Sequence, residues 1–260
     1  MALADTFRLS AFVLVLGGML LWEAVAARRA LPLPRRARWP ANAALVVIGT
    51  VAVRLVVPIT LVETATWAAG RGLGAFWQVG LPLRYTVALS LVALDLAVYA
   101  QHVAMHRMGL LWRVHRAHHA DPGFDTTTGV RFHPIELVIS ALFKAAVVVA
   151  LGAPAVAVVL FEIWLNAGSL FTHGNVSLGR LDGLVRRLVV TPDMHRVHHS
   201  VHRDEHDTNF GFGLSAWDRL FRTYRAQPRG GHDGMTLGLG LPVAQAAPLG
   251  AVLRLPFRRG

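Results

Sequence analysis

Two short segments of this chain repeat one arrangement of histidines, His115-Arg116-Ala117-His118-His119 and His195-Arg196-Val197-His198-His199. A third segment sets His102 and His106 four residues apart, which on a helix puts both imidazoles on one face, able to share a metal. In each HxxHH copy the first and last histidines can serve one metal while the second points elsewhere, toward another. Two surface histidines would explain HxxxH alone, but chance does not explain all three clusters in one chain. The clusters supply eight histidines, and His173, at the end of an apolar stretch, is a ninth. One tetrahedral zinc ion takes four ligands, so nine imidazoles point to two metals. With both ions six-coordinate, about three of twelve positions would remain for water, dioxygen or a bridging oxygen.

This donor set favours a redox metal. A hydrolytic zinc site needs three protein ligands, a water and a general base, often a carboxylate, whereas these clusters are rich in imidazole and poor in acids. Two iron ions with O2 as co-substrate fit it, and zinc stays open as a substitute because histidine spacing does not separate the two. The chain has no cysteine, which excludes disulfides, iron–sulfur clusters and thiolate zinc sites. It also lacks the dinucleotide-binding glycine fingerprint and a haem-attachment motif. Redox chemistry here therefore needs an external electron donor: a cytochrome b5-like protein, a ferredoxin or a reductase. Apart from the di-iron centre itself, no protein acid or base is assigned.

Neutral imidazole ligands are normally oriented by a carboxylate or carbonyl. Asp95, two helical turns before His102, is the first candidate for that duty or for a structural acceptor. Asn175, Asp193, Asp207 and Asn209 stand beside the later clusters and are equally suited to caps and turns. Asp121-Pro122-Gly123 reads primarily as a turn.

The elements that must position these residues are apolar. Of 260 residues, 54% are hydrophobic and 16% charged, against about a quarter charged in a soluble domain. Lipid must be part of the solvent. The net charge of +11 resides on arginines that flank apolar runs instead of forming a basic recognition face, which argues against nucleic acid as a partner.

Residues 9–27 form a first run close to the ~20 residues a spanning helix needs, read as a retained anchor because the positive charge follows it. Arg28 to Trp39, with five arginines and with Pro32 and Pro34 as helix breakers, is a loop on the cytoplasmic side by the positive-inside rule. A second run, 41–66, holds the intramembrane cation Arg54. Gly70, Gly72 and Gly74 mark a far-side loop, and a third run, 82–101, brings His102 back to the arginine side. Residues 137–170 break at Gly152-Ala153-Pro154 into two halves of roughly 15 residues, ~22 Å each, a helical hairpin that returns His173. A polar, histidine-rich cap over 174–228 follows, and the apolar stretch 241–257 suits a membrane interface.

The pattern predicts an all-α membrane protein with about four transmembrane segments, one a helical hairpin, under a histidine-rich helical cytoplasmic cap. Residues 1–260 then form a single integral membrane domain: two N-terminal segments in 9–66, a catalytic region in 82–228 and a C-terminal tail in 229–260. Its partners are the lipid bilayer and a lipid substrate. Its location is the inner or cytoplasmic membrane if the chain is bacterial, with the active site on the cytoplasmic side.

These motifs resemble the fatty acid hydroxylase and sterol desaturase superfamily of membrane di-iron enzymes, and its sterol-desaturase-like, bacterial-type branch most. The similarity runs from Asp95-Leu96-Ala97-Val98-Tyr99-Ala100-Gln101-His102 through HRMGLLWRVHRAHH to Arg131-Phe132-His133-Pro134-Ile135-Glu136. It resumes at Phe171-Thr172-His173-Gly174-Asn175 and continues through TPDMHRVHHSVHRDEHDTNFG to Trp217-Asp218-Arg219-Leu220-Phe221-Arg222-Thr223-Tyr224, about 130 residues in all. The resemblance implies iron-dependent, oxygen-consuming oxidation of a lipid, by hydroxylation or desaturation of a fatty-acyl, sterol-like or isoprenoid substrate. It carries over His102, His106, His115, His118, His119, His173, His195, His198 and His199 as ligands. His133, in a shared RxHP pattern, is either a further ligand or a residue that, with Pro134 and Glu136, positions the hairpin. His202 and His206 fall at variable positions and are expected in solvent or behind the ligands, and His232 lies outside the match. Arg222 stands where many relatives have glycine.

The same motif set serves hydroxylases, desaturases, demethylating oxidases and ether-cleaving monooxygenases, so it leaves the lipid unnamed. Two other classes compete: a membrane zinc hydrolase and a non-catalytic metal-binding or transport protein. A transporter would place its ionisable residues near mid-span, whereas these histidines gather at span ends and in the cap.

Overall fold

A computed structural model describes residues 2–258. Among them every regular element is a helix, and the two β-bridges, Val189 with Leu214 and Ser200 with Leu237, are isolated. The main helices are α1 (Ala2–Val25), α2 (Arg35–Val56), α3 (Leu61–Ala69), α4 (Leu83–Arg107), α5 (Gly109–His119), α6 (Pro134–Leu151), α7 (Ala155–Thr172), α8 (Pro192–His198) and α9 (Leu249–Arg254). Five segments are long and apolar enough to cross a membrane: Ala4–Val25, Arg35–Ala69, Leu83–Arg107, Pro134–Leu151 and Ala155–Thr172. The chain is an all-α integral membrane protein.

Proline and glycine punctuate the bundle. The arginine-rich loop is shorter than its composition suggests, because Pro34 caps α2 and places Arg35, Arg36 and Arg38 in the helix's first turns. The second apolar run is two helices instead of one. Pro58 follows the end of α2, and a capping box between Thr60 and Glu63 starts α3 afresh. The hairpin helices α6 and α7 have 18 residues each, about 27 Å and thus longer than predicted. Pro134 opens α6 at its N-terminus, and Gly152, with φ 70°, closes it in the left-handed region. At the far end Gly74 meets Gly152 so closely that a Cβ on Gly74 would fall 2.1 Å from the Gly152 nitrogen. Only glycine permits that contact.

The apolar core lies between α3, α4, α6 and α7, where Ala65, Leu94, Val98, Val148, Val158 and Phe161 are buried. At the opposite, histidine-bearing end the bundle is held by polar groups. Arg38 is fully buried and forks onto Asp121, Nε to Oδ1 at 2.6 Å and Nη2 to Oδ2 at 2.8 Å, while Nη1 reaches Asp125 at 2.8 Å. Asp121 is therefore a buried ion-pair partner, and the turn it makes with Gly123 serves that pairing. Arg131 joins through Asn42 (2.8 Å) and donates to the Ala117 carbonyl (3.0 Å), so two arginines balance two carboxylates. Glu23 at the end of α1 accepts from the backbone of Thr126 and of Asn175. The end of α1 and the start of α2 are thus tied to the loop that follows α5, and Glu23 also ties α1 to the chain just beyond α7.

The C-terminal stretch does not lie free along an interface. Val252 and Leu255 bury themselves against Leu45, Ala117 and Ala120, and Arg113 donates to the Pro256 carbonyl at 2.8 Å. Ala117 on α5 and Ala120, which caps its C-terminus, leave the room that makes this packing possible.

Burial alone would raise the Asp121 carboxyl, but the adjacent Arg38 guanidinium outweighs it and holds the group at about 2. The folded value lies below the unfolded one of about 3.9, so the pair stabilises the protein fully above that pH and loses its contribution as pH falls toward 2. Asp121→Asn leaves Arg38 buried with half its partners and is expected to cost about 3–5 kcal/mol in unfolding of the detergent-solubilised protein. A loss below about 1 kcal/mol would show the network to be dispensable.

Candidate metal centre

The end of α4 carries His102 and His106, and the chain then turns through the extended Met108 into α5, which carries His115, His118 and His119. His173 caps the C-terminus of α7. Thr191 accepts from the Met194 backbone and Pro192 opens α8, which presents His195 and His198 and ends at His199. All nine side chains are buried, none more than 5% exposed.

They form two groups. One ring nitrogen from each of His102, His106, His115, His119 and His198 lies within 4.8 Å of the others, and the same holds for His118, His173, His195 and His199. Each HxxHH segment therefore feeds both groups, its first and last histidines to one and its second to the other. That division matches the helical spacing.

The hydrogen bonds set the tautomers. His118 Nδ1 donates to the Arg131 carbonyl (3.1 Å) and His173 Nδ1 to the Ser169 carbonyl (2.7 Å). Burial holds His173 down at about 4 and drives His118 well below 6.5, so both rings are neutral at pH 7. A carbonyl only accepts, so each proton sits on Nδ1 and each Nε2 is a bare lone pair. These two Nε2 atoms nevertheless face each other at 3.1 Å. His102 and His115 repeat the arrangement: their Nδ1 atoms donate to the Phe210 carbonyl (2.6 Å) and the Glu136 carboxylate (2.7 Å), and their Nε2 atoms also stand 3.1 Å apart. His198 Nδ1 is held by the Thr208 carbonyl (2.7 Å), leaving a buried Nε2 without a partner. Opposed lone pairs repel unless a cation lies among them. An all-nitrogen, uncharged donor set suits iron, copper, nickel or zinc and not magnesium or calcium. Two metal ions fit these residues.

Burial also drives His119, His195, His198 and His199 well below 6.5, with neighbouring imidazoles pushing the same way. Aromatic rings keep water out. Phe132 stacks on His118 with centroids 4.6 Å apart, and Phe212 lies 4.8 Å from His102. Trp112 stacks on His206 and covers His106 and His119.

The other residues singled out in the sequence separate by role. Asp207 orients His106 Nδ1 at 3.2 Å. Asp95 touches no histidine, and instead accepts from the indoles of Trp164 (2.9 Å) and Trp217 (2.7 Å) and from the Leu214 backbone. Asn175 bonds the backbone of Arg29, and Asp193 pairs with Arg196. Asn209, at φ 53°, ties Met194 to Arg225. His133 lies outside both groups. It caps α6 by accepting from the Ile135 backbone and contacts the Leu253 carbonyl. His202 is exposed, His206 is buried behind His106, and His232 lies against Asp193. Arg222 adopts φ 59°, which explains why glycine suits that position. Glu136 was visible in the sequence only as a helper of the hairpin. Its signal is an acid in the first turn of an apolar helix, where an unpartnered carboxylate would be costly.

A cavity of about 250 Å3 adjoins the first group. His102, His115 and Glu136 form its polar end, and Val98, Met105 and Phe212 part of its apolar wall.

The fatty acid hydroxylase family model matches residues 87–223, the stretch that carries all nine histidines. An ornithine lipid hydroxylase of Rhizobium tropici is 32% identical over 160 residues, 59% of this chain and 46% of that protein. The alkylglycerol monooxygenase of Homo sapiens is 23% identical over 163 residues, 61% of this chain and 34% of its own, and that of Xenopus tropicalis 27% over 145 residues, 54% and 30%. The match spans less than half the length of each of these relatives. No solved structure matches.

Glu136→Gln keeps the shape of the His115 partner but removes its charge, and is expected to weaken metal retention about 10–100-fold in a competition with chelator. Unchanged retention would show that His115 does not depend on it.

Proposed function

Since the chain belongs to the fatty acid hydroxylase family, we propose that it is an oxidoreductase that hydroxylates a membrane lipid with O2 at a pair of iron ions. The observation that carries this reading is the gathering of nine buried imidazoles into two groups, with the unprotonated Nε2 atoms of His118 and His173 face to face and an apolar cavity beside the first group. His102, His106, His115, His119 and His198 would hold one iron, and His118, His173, His195 and His199 the other. Bound there, the metals supply the oxidation: one oxygen atom of O2 enters a C–H bond as a hydroxyl, the other leaves as water, and two electrons and two protons enter.

The chain's own residues prepare the site. Glu136, Asp207 and the carbonyls of Phe210, Arg131, Ser169 and Thr208 keep protons on Nδ1, so that the Nε2 lone pairs point inward. Phe132, Phe210 and Phe212 line the rings with hydrocarbon, which excludes water from the oxidising centre. The cavity offers an apolar chain a place beside His102 and His115. Hydroxylation is favoured over desaturation because the relatives it resembles are an ornithine lipid hydroxylase and alkylglycerol monooxygenases.

The histidine end is also the arginine end, where Arg28, Arg29, Arg35, Arg36 and Arg38 gather, so the positive-inside rule orients the site toward the cytoplasm. In a bacterium that means the inner membrane. The electrons would come from a separate cytoplasmic donor, since the chain has no redox cofactor motif of its own.

Lipid extracts of cells expressing the protein are expected to contain a species heavier by one oxygen atom, absent without O2. His118→Ala should lower its formation by more than the about 10–100-fold typical of residues behind the ligands, with membrane insertion unchanged. Full activity in that variant, or a product lighter by two hydrogens, would overturn the proposal.

A further inference from the structure

Midway along α6 the cavity beside the histidines is lined by a lysine that no side chain contacts as an ion-pair partner among the described residues. Glu136, Ser140 and Lys144 recur every four residues on this otherwise apolar helix, and all three line the cavity. Lys144 also lines a second cavity, of about 270 Å3, whose other charged residues are Arg8, Arg54 and Glu162. Thr50 and Leu137 border both spaces as well, so the two adjoin.

Among the described residues Glu162 is the one carboxylate lining the second cavity; it pairs with Arg8, which Asp5 also holds at 2.6 Å, and acts on Lys144 only from beyond ion-pair distance. Among the described residues no carboxylate oxygen lies within 4.0 Å of Lys144 or Arg54, and Lys144 makes no hydrogen bond. An ammonium inside the hydrocarbon region is costly unless something brings the opposite charge. Lys144 itself is half-buried and lines both cavities.

We propose that Lys144 anchors the anionic head of the lipid substrate, a carboxylate or a phosphate. The chain of that lipid runs through the apolar part of the first cavity toward His102 and His115. This rests on the reading that the first cavity receives the substrate. Lys144 lies eight residues from Glu136, the partner of His115, or about 12 Å along the helix axis. The carbon offered to the metals is accordingly one within the chain, remote from the carbon that bears the head. Lys144 acts here as a positioning residue.

The test is the binding of palmitate, hexadecyl phosphate and hexadecanol, equal in chain length, to the purified full-length protein in neutral lipid nanodiscs. Wild type should bind at least one of the two anions about 10-fold more tightly than the alcohol, as expected for a hydrogen bond to a charged group. The favoured anion identifies the head. Lys144→Met should bind all three alike, with the alcohol's affinity unchanged as proof of an intact cavity, and Lys144→Arg should restore the preference. Equal affinities in wild type, or a preference that survives in Lys144→Met, overturn the proposal. Binding requires no turnover, so a discriminating but inactive protein would keep the anchor while refuting the reaction, and an active protein without discrimination would do the reverse.

Discussion

Two imidazole nitrogens that both lack a proton repel each other at 3.1 Å unless positive charge lies among them. His118 and His173 are held in that relation because their Nδ1 protons are committed to the carbonyls of Arg131 and Ser169. His102 and His115 stand at the same separation, their Nδ1 atoms committed to the Phe210 carbonyl and the Glu136 carboxylate. A bundle that meets this constraint must bring four separated stretches of chain together and keep each ring from turning. It must also keep water away, since hydrated rings would have other partners.

The polar end of the bundle does this work. The buried pairing of Arg38 with Asp121 and Asp125 fixes the start of α2 against the segment that follows α5, and Arg131 in that segment holds the Ala117 carbonyl while offering its own to His118. Ser169, which orients His173, donates its hydroxyl to the Gly129 carbonyl in the same segment. On the cap side, Asp218 binds the backbone of Phe210 and Gly211, and Asp95 the backbone of Leu214, which places the Phe210 carbonyl over His102. Because each HxxHH segment contributes to both groups, both depend on α5 and α8 being in place.

Much of this was legible in the sequence, for identifiable reasons. Histidines at i, i+3 and i+4 read directly as two directions on a helix, so the division of His115 and His119 from His118 could be foreseen. Apolar runs and their breakers placed the hairpin at Gly152-Ala153-Pro154 and returned His173 to the right end. The hydrogen-bond partners were harder. Four of the six groups that orient ring nitrogens are backbone carbonyls, which any residue possesses, so Phe210, Arg131, Ser169 and Thr208 carry no signature. Arg38 read as a loop charge because its partners lie more than 80 positions away. Asp95 read as the first candidate, ahead of Asp193 and Asp207, and only the folded geometry separates the acid that reaches a ring from the acids that hold the cap.

The central claim is that two iron ions complete this site, one in each imidazole group. Anomalous diffraction from crystals of the protein, collected on both sides of the iron absorption edge, tests it most directly. The expected result is two iron peaks, one among His102, His106, His115, His119 and His198 and the other among His118, His173, His195 and His199. A single peak, or density that persists below the iron edge and follows the zinc edge instead, would contradict it.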